Sequence, residues 1–593
     1  MNLNWSLKEL YESFESKNFK EDLRECDNSI QNFIQWVETS TKDCDNFIKN
    51  LEEFIRLKSQ LEDLFSRLFA FCQLNLSVET NNNAALKNLE ILEQKYASLA
   101  EADAKIKKWI GNTNNLNNLI EHSTLLKEHS FYLKEIQLNS KHVLSDKEEA
   151  VIAKMKNTGS SSWAKLRDLL TSSVKVDIEL NGEKKQLPLT VIRNMAYEKD
   201  EETRKKAYEA ELDSYKKIEE AVAACLNGIK GEVITTSKLR GYKSPLEEAL
   251  INSKMDEETL DAMLAAMKES LPSFRKYFKR KGELLQKNNG LPFYDIFAPI
   301  GKSNMEFPYE KGKEFVYENF KTFSTKLADY AKKAFDNNWI DVKPKEGKVG
   351  GAFCSNLHSI GESRIMLNYG DKFDDVITLA HELGHGYHGE CLKDEAILNS
   401  DYPMPIAETA STFCETIVKK AAVKNASKEE AFTILESEIG DYAQIIVDIY
   451  SRFYFESEVF KRREISSLSP SELNEIMIEA QKYTYGDGLD EKYLHPYMWI
   501  CKPHYYDADY NFYNFPYAFG LLFAKGLYAE YLKRGEAFIA DYDKLLKATG
   551  KMNLADVAKL MNINIKNIEF WRSSLRIMEE DINKFMKLSE EYL

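Results

Sequence analysis

His381-Glu382-Leu383-Gly384-His385 sets two imidazoles four residues apart with a carboxylate beside the first. On an α-helix, residues i and i+4 share a face, so both rings reach one metal ion while Glu382 is turned toward a water on that ion. This is the geometry of a zinc hydrolase. A tetrahedral catalytic zinc takes a third protein ligand, keeps one position open and lowers the pKa of its water to near neutrality. Glu382 then takes the proton and hands it on. Asp374 and Asp375, followed by Val376, Ile377, Ala380, Leu383 and Tyr387, read as an acidic first turn and an apolar stripe at helical spacing, which predicts a helix under the motif. Gly384 and Gly386 each cost about 1 kcal/mol against Ala in a helix interior. They predict a close approach of another element or of substrate. The chain holds 9 His, and those at 381, 385 and 388 fall together.

The third ligand is sought downstream. One known arrangement places Gly three residues and His six residues after the second motif His. Here His388 and Cys391 stand there, which excludes it. The alternative is a carboxylate from a following helix, and Pro405 to Glu415 starts one with proline in its first turn. Glu408 and Glu415 lie two turns apart on one face of a segment almost free of charge until Lys419. A buried ionised carboxylate needs a metal or a partner, whereas an ordinary solvated Glu needs neither.

Two further segments carry chemistry. Gly350-Gly351-Ala352-Phe353-Cys354-Ser355-Asn356-Leu357 and Ser363 to Asn368 read as short strands around the turn His358 to Glu362. Gly350 and Gly351 let another backbone come close, so Gly350 to Phe353 could accept substrate as an added strand, or the hairpin could simply brace the motif helix. Pro503 to Tyr517 is dense in His and Tyr. Peptide hydrolysis builds negative charge on the carbonyl oxygen, and neutral N–H or O–H donors aimed at it stabilise the transition state. His504 with one or two of Tyr510, Tyr513 and Tyr517 supplies such donors, against a reading of the cluster as packing.

The rest of the chain sets the frame. At 593 residues and 43% hydrophobic it buries a large core and exceeds one ordinary domain. Its 13 prolines, none before Pro188, and 25 glycines predict a mainly helical protein. Leu51, Phe54, Ile55, Leu61, Leu64, Phe65, Leu68, Phe69 and Cys72 repeat at helical spacing, and Asn81 to Asn83 marks a break. Val174 to Leu180 and Glu183 to Leu189 flank Asn181-Gly182, a hairpin signal, and place a boundary between an N-terminal helical lobe, 1–190, and a catalytic region, 191–593. The amino terminus lacks a basic region followed by an apolar core, and no run of eighteen apolar residues occurs, which predicts neither export nor a membrane span. Cysteines at 26, 44, 72, 225, 354, 391, 414 and 501 form no CxxC pair and suit reduced thiols in a cytoplasm. A formal charge of -15 without a basic block argues against a nucleic-acid partner.

Together, His381 to His388, the helix bearing Glu408 and Glu415, and the His/Tyr-rich stretch from Pro503 to Gly520 resemble the M3 family of metallopeptidases, in its oligoendopeptidase F branch, from about residue 190 onward. The resemblance implies a two-lobed helical fold of the zincin type, with a deep substrate channel and a small hairpin beside the metal helix. It implies one Zn2+ per chain on His381, His385 and Glu408, Glu382 as base, and Glu415 steadying a ligand imidazole. It implies short oligopeptide substrates cut at internal bonds and met by Gly350, Gly351, Ala352, Phe353 and His388. A His followed by tyrosines serves the oxyanion in such enzymes. His504 matches, while the spacing to Tyr510 and Tyr517 departs from the family pattern and leaves Tyr513 in reserve. The rival readings are a helical metallocarboxypeptidase, which needs a basic residue for the terminal carboxylate, and an inert peptide-binding scaffold.

Overall fold

The apolar stripe from Leu51 to Cys72 lies on one helix, Phe47–Val78, with every member buried except the half-buried Phe69. Asn82 ends the break after it. Its side chain accepts from the Ala85 N–H at 3.0 Å and caps the helix Asn83–Ala97. A computed structural model describes residues 3–42, 46–180, 182–301 and 305–592. Helices dominate, with one two-stranded and one three-stranded sheet among the described residues. None of the described helices is long and apolar enough to cross a membrane. Cys44 and Asn181 lie outside the described residues.

The chain forms two compact units, each drawn from three segments. The first takes Met1–Val143, Asn304–Ala421 and Glu530–Ile563. The second takes Leu144–Ser303, Ala422–Ala529 and Asn564–Leu593. The division expected at 190/191 falls inside the second of these units. The expected hairpin does form, with Lys175–Leu180 antiparallel to Glu183–Pro188 and Gly182 at φ +80°. It sits inside the second unit because Val176 and Ile178, on its one apolar face, pack into a core with Leu226, Ile229 and Phe455. Two buried β-branched side chains make it part of a core, where a linker would be polar throughout.

In the first unit, Glu362–Met366 is the central strand of the small sheet. It runs parallel to Ile340–Asp341 and antiparallel to Phe353–Leu357, with Phe353 opposite Met366 and Leu357 opposite Glu362. Phe353–Leu357 is thus an edge strand. It begins at Phe353, later than the sequence suggested. Gly350 and Gly351 form a bend ahead of it, with Gly351 at φ +81°, a backbone conformation that breaks the strand pattern.

The motif lies on the helix Phe373–Leu392. The Asp375 carboxylate closes its first turn by accepting from the N–H groups of Gly370 at 3.0 Å and Lys372 at 2.8 Å. The helix packs against both long strands of the sheet and against Tyr309–Phe323, Thr325–Asp336 and Glu536–Ala548. Val376, Leu379, Ala380, Leu383 and Tyr387 are fully buried there. Its two motif glycines are explained by contact. A Cβ on Gly384 would stand 2.6 Å from the Ala410 carbonyl oxygen and the Ser411 Cα, and one on Gly386 would strike the Tyr330 hydroxyl. The close approach predicted from sequence is therefore by protein at both positions. At Gly384 the obstacle is backbone, which cannot rotate away. Gly384→Ala should lower unfolding stability by about 1 to 3 kcal/mol despite its gain in helix propensity. Urea denaturation of the purified variant checks this, and a stability equal to or above that of the parent would contradict the crossing geometry.

Candidate active site

Glu408 stands at the joint between the short helix Met404–Ala407, which holds Pro405 in its first turn, and the helix Thr409–Asn425. The crossing at Gly384 brings this joint to the motif. His381 Nε2 and His385 Nε2 are 3.1 Å apart, and each lies 3.3 Å from Glu408 Oε2. Ligand atoms at about 2.0 to 2.1 Å from a tetrahedral zinc are separated by about 3.3 to 3.4 Å. His381, His385 and Glu408 are the group among the described residues whose donor atoms close around one point in this way. The donor chemistry fits a metal ion as well as the spacing does. His381 Nδ1 is bonded to Glu415 Oε1. With the proton on Nδ1, its Nε2 presents a lone pair to the centre of the triangle.

The electrostatics point the same way. Burial works against a charged ring, yet Glu408 and Glu415 push His381 up to about 10. Burial also raises both carboxyls, but the imidazoles hold Glu408 well below the usual carboxylate range, while Lys419 and His381 hold Glu415 down to about 2. Without an ion the cluster holds protons, so it is built to attract positive charge. Glu382 differs. It is 5% exposed, its Oε2 has no hydrogen-bond partner, and burial pushes its carboxyl above the usual range against the pull of both imidazoles. A carboxylate that is unpaired, desolvated and poised nearer neutrality suits proton transfer and makes a poor counter-ion.

Several supporting contacts were not singled out from the sequence. Ser411 Oγ donates to Glu408 Oε2 at 2.8 Å, and Lys419 lies 3.2 Å from Glu415 Oε2. The second is an i,i+4 Glu-to-Lys pair and so was readable. Asn356, on the edge strand, donates to the His385 carbonyl at 3.1 Å. It accepts from Ser363 Oγ at 3.0 Å, and Ser363 Oγ accepts from Tyr330 Oη at 3.0 Å. This chain ties the sheet to the motif helix across sequence separations that no local pattern reveals. Cys391 and Cys414 behave as buried small hydrophobes, with burial pushing the Cys391 thiol up to about 12 and raising Cys414 as well.

The other expected residues fall in three places. Gly350 and Gly351 are exposed and open, with nothing within 4 Å of a Cβ built on either, and Ala352 and Phe353 are half-buried. His388 is buried. At 0% exposed, it stacks on Tyr402 with ring centroids 4.1 Å apart and lies 2.8 Å from Thr549 Oγ1. One turn beyond His385 on a helix buried on nearly all sides, its ring lies within packing, and its Nδ1 has no hydrogen-bond partner. Burial pushes its pKa down to about 3, so it remains neutral.

His504, Tyr510, Tyr513 and Tyr517 gather in the second unit. The His504 ring is 5.5 Å from Tyr513 and 6.3 Å from Tyr517, and Tyr513 is 5.8 Å from Tyr510 and 5.6 Å from Tyr517. Tyr510 is 63% exposed, whereas Tyr505 and Tyr506 are buried packing. Burial, with help from Arg452 and Lys502, lowers the His504 pKa, so the ring is neutral, and its Nδ1 has no hydrogen-bond partner. The structure sets His504 beside Tyr513 and Tyr517, with Tyr510 reaching the cluster through Tyr513.

Comparison with known proteins agrees with this geometry. Residues 194–577 match Peptidase family M3, and residues 103–175 match the family described as Oligopeptidase F. The chain is 25% identical to Oligopeptidase PepF of Bacillus subtilis over 547 residues, 90% of this chain and 80% of that one. It is 26% identical to the chromosomal oligoendopeptidase F of Lactococcus lactis subsp. cremoris, over 69% and 68% of the two chains. A crystal structure from Chlamydophila abortus superposes with a TM-score of 0.86 at 20% identity over 99% of this chain and 98% of the other. Oligoendopeptidase-F from Enterococcus faecium gives 0.70 at 18% over 96% and 100%. With most of its length matched and a His-His-Glu cluster in place, the chain belongs to peptidase family M3 and is a metal-dependent peptidase.

Proposed function

We propose that the chain is a zinc endopeptidase of short oligopeptides, acting in the cytoplasm, with His381, His385 and Glu408 as the metal ligands. The observation that carries this reading is the triangle of 3.1, 3.3 and 3.3 Å between their donor atoms. When bound, zinc supplies an acidified water and a Lewis acid for the scissile carbonyl. Glu382 takes the proton of the attacking water and returns it to the leaving nitrogen, a two-way transfer that its raised pKa favours. Glu415 holds the His381 ring through Nδ1, and Lys419 keeps Glu415 ionised. His504, with one or two of Tyr510, Tyr513 and Tyr517, donates to the developing oxyanion, a role supported by its neutral ring and unpaired Nδ1. The open, exposed bend at Gly350 and Gly351 and the edge strand beginning at Phe353 support main-chain pairing with an extended peptide. Such pairing ignores side chains and gives broad sequence tolerance. A peptide with a blocked, amidated carboxyl terminus should therefore be cut at internal bonds. Resistance of every such peptide, with cleavage of the free acid, would favour the carboxypeptidase reading.

Metal content and turnover separate the roles. Glu382→Gln should keep close to one metal per chain and lose nearly all turnover, while Glu408→Ala should lose the metal too. Glu415→Gln should weaken metal affinity by about 10 to 100-fold, because it frees a ligand ring without removing a ligand. Full metal occupancy in Glu408→Ala would remove Glu408 from the ligand set.

His504→Ala should lower kcat and kcat/KM together by roughly 10² to 10³, or about 3 to 4 kcal/mol of transition-state stabilisation, at unchanged metal content. Phe substitutions at 510, 513 and 517 should single out one or two hydroxyls. A small uniform effect across the three would assign the tyrosines to packing.

A further inference from the structure

A cavity of about 270 Å³ lies within the second compact unit. Its walls are largely aromatic, with Tyr197, Tyr208, Phe293, Phe297 and Tyr485 beside Met498. Its charged groups nearly balance in pairs. Arg204 meets Asp295 at 2.8 Å, Arg193 meets Glu211 at 3.2 Å, and Arg452, behind the wall, donates to Asp448 at 2.7 Å. Lys502 is the cation left over. The carboxylate acting on it, Asp448, is already held by Arg452, and burial keeps the Lys502 ammonium below its usual range.

Two more features face the same space. Gln444 and Asp448 reach it from a π-helical segment, Gln444–Asp448, between the helices Lys428–Ala443 and Ile449–Arg463. Such bulges are rare and recur at functional sites. His495 is 2% exposed, and its Nε2 lies 3.4 Å from Glu211 Oε1 while its Nδ1 has no partner. With Nε2–H turned toward Glu211, Nδ1 is a buried acceptor in need of an N–H.

We propose that this cavity binds the carboxylate of an aromatic amino-acid residue, with Lys502 holding the charge, His495 Nδ1 accepting the residue's N–H, and the side chain lying among the tyrosines and phenylalanines. Two sources share this chemistry: the carboxyl-terminal residue of a short peptide and the free amino acid. The inference is independent of the metal cluster, which belongs to the other unit, and stands whether or not the proposed cleavage is correct.

Calorimetric titration of the metal-loaded protein at neutral pH with N-acetylphenylalanine tests it. One equivalent should bind. N-acetylphenylalanine amide, which lacks the charge, and the Lys502→Met variant should each weaken binding more than tenfold, as loss of a charged hydrogen bond predicts. Lys502→Arg should restore most of it, and 3-phenylpropionate, which lacks the N–H, should bind less tightly than the acetylated residue. Met is an apolar replacement of similar length and so should fold. Tighter binding of free phenylalanine than of its acetyl derivative would assign the site to the free amino acid. Because carboxylates also bind metals, the titration is repeated in Glu408→Ala, where binding should persist. Loss of binding there, equal affinity for acid and amide, indifference to Lys502→Met, or no heat at millimolar ligand would each overturn the proposal.

Discussion

The distance of closest approach between the helix Phe373–Leu392 and the backbone at Ala410 and Ser411 governs the geometry of the metal cluster. Two ligands come free with helical spacing, since His381 and His385 share a face whatever the helix packs against. The third does not. Glu408 has a short reach and sits on a helix joint, so its oxygen meets both Nε2 atoms only if the joint lies almost on the motif helix. A Cβ at residue 384 would occupy the space of the Ala410 carbonyl. Glycine there loses backbone entropy in the unfolded-to-helix transition, and what it secures is the third edge of the ligand triangle.

Charge is arranged around that triangle in a graded way. Glu408 and Glu415 flank His381, Lys419 answers Glu415, and Glu382 is left without a partner. Three carboxylates against one ammonium leave an excess of negative charge that a divalent cation offsets. The gradient also divides labour. Carboxylates held ionised by neighbours are good ligands and anchors, because they do not compete for the substrate's protons. The one raised by desolvation is the one able to accept and release a proton.

What was legible in the sequence was whatever is local. The motif helix, its acidic start, the stripe from Leu51 to Cys72, the break at Asn81 to Asn83 and the hairpin at 175–188 all follow from periodicity and turn chemistry within a short window. His381, His385 and Glu382 were legible for the same reason. Glu408 and Glu415 could be narrowed to one helix face, but choosing between them depended on which one the crossing at Gly384 brings to the rings, a tertiary fact. The compact units were not legible because each is drawn from three segments of the chain, and a hairpin in a core looks, in sequence, like a hairpin in a linker. The surroundings of His388 were hidden for a related reason. Helical spacing put it near the motif face, while the packing of Tyr402 and Thr549 against it left no sign in its neighbours.

The tyrosine segment shows how the second unit holds an irregular loop still. Lys230 and Glu456 are 1% and 2% exposed and 2.7 Å apart. A buried ion pair is a weak source of stability, since desolving two charges offsets their attraction, so its energy alone gives no account of its presence. Its spare hydrogen bonds give one. Lys230 donates to Asn511 Oδ1 at 2.9 Å, and Glu456 accepts from Asn514 Nδ2 at 3.1 Å, so the pair grips the loop on both sides of Phe512. Phe512 needs that grip, because its φ of +54° is a conformation that a bulky residue adopts only when its surroundings impose it. The loop's outer end is tied by Lys156 to Asp509 and turned by Asp507, which accepts from the Asp509 N–H at 2.8 Å. A polar loop fixed from beneath by buried charge keeps Tyr510, Tyr513 and Tyr517 in one cluster around His504 without burying their hydroxyls in an apolar core, where each would have demanded a partner of its own.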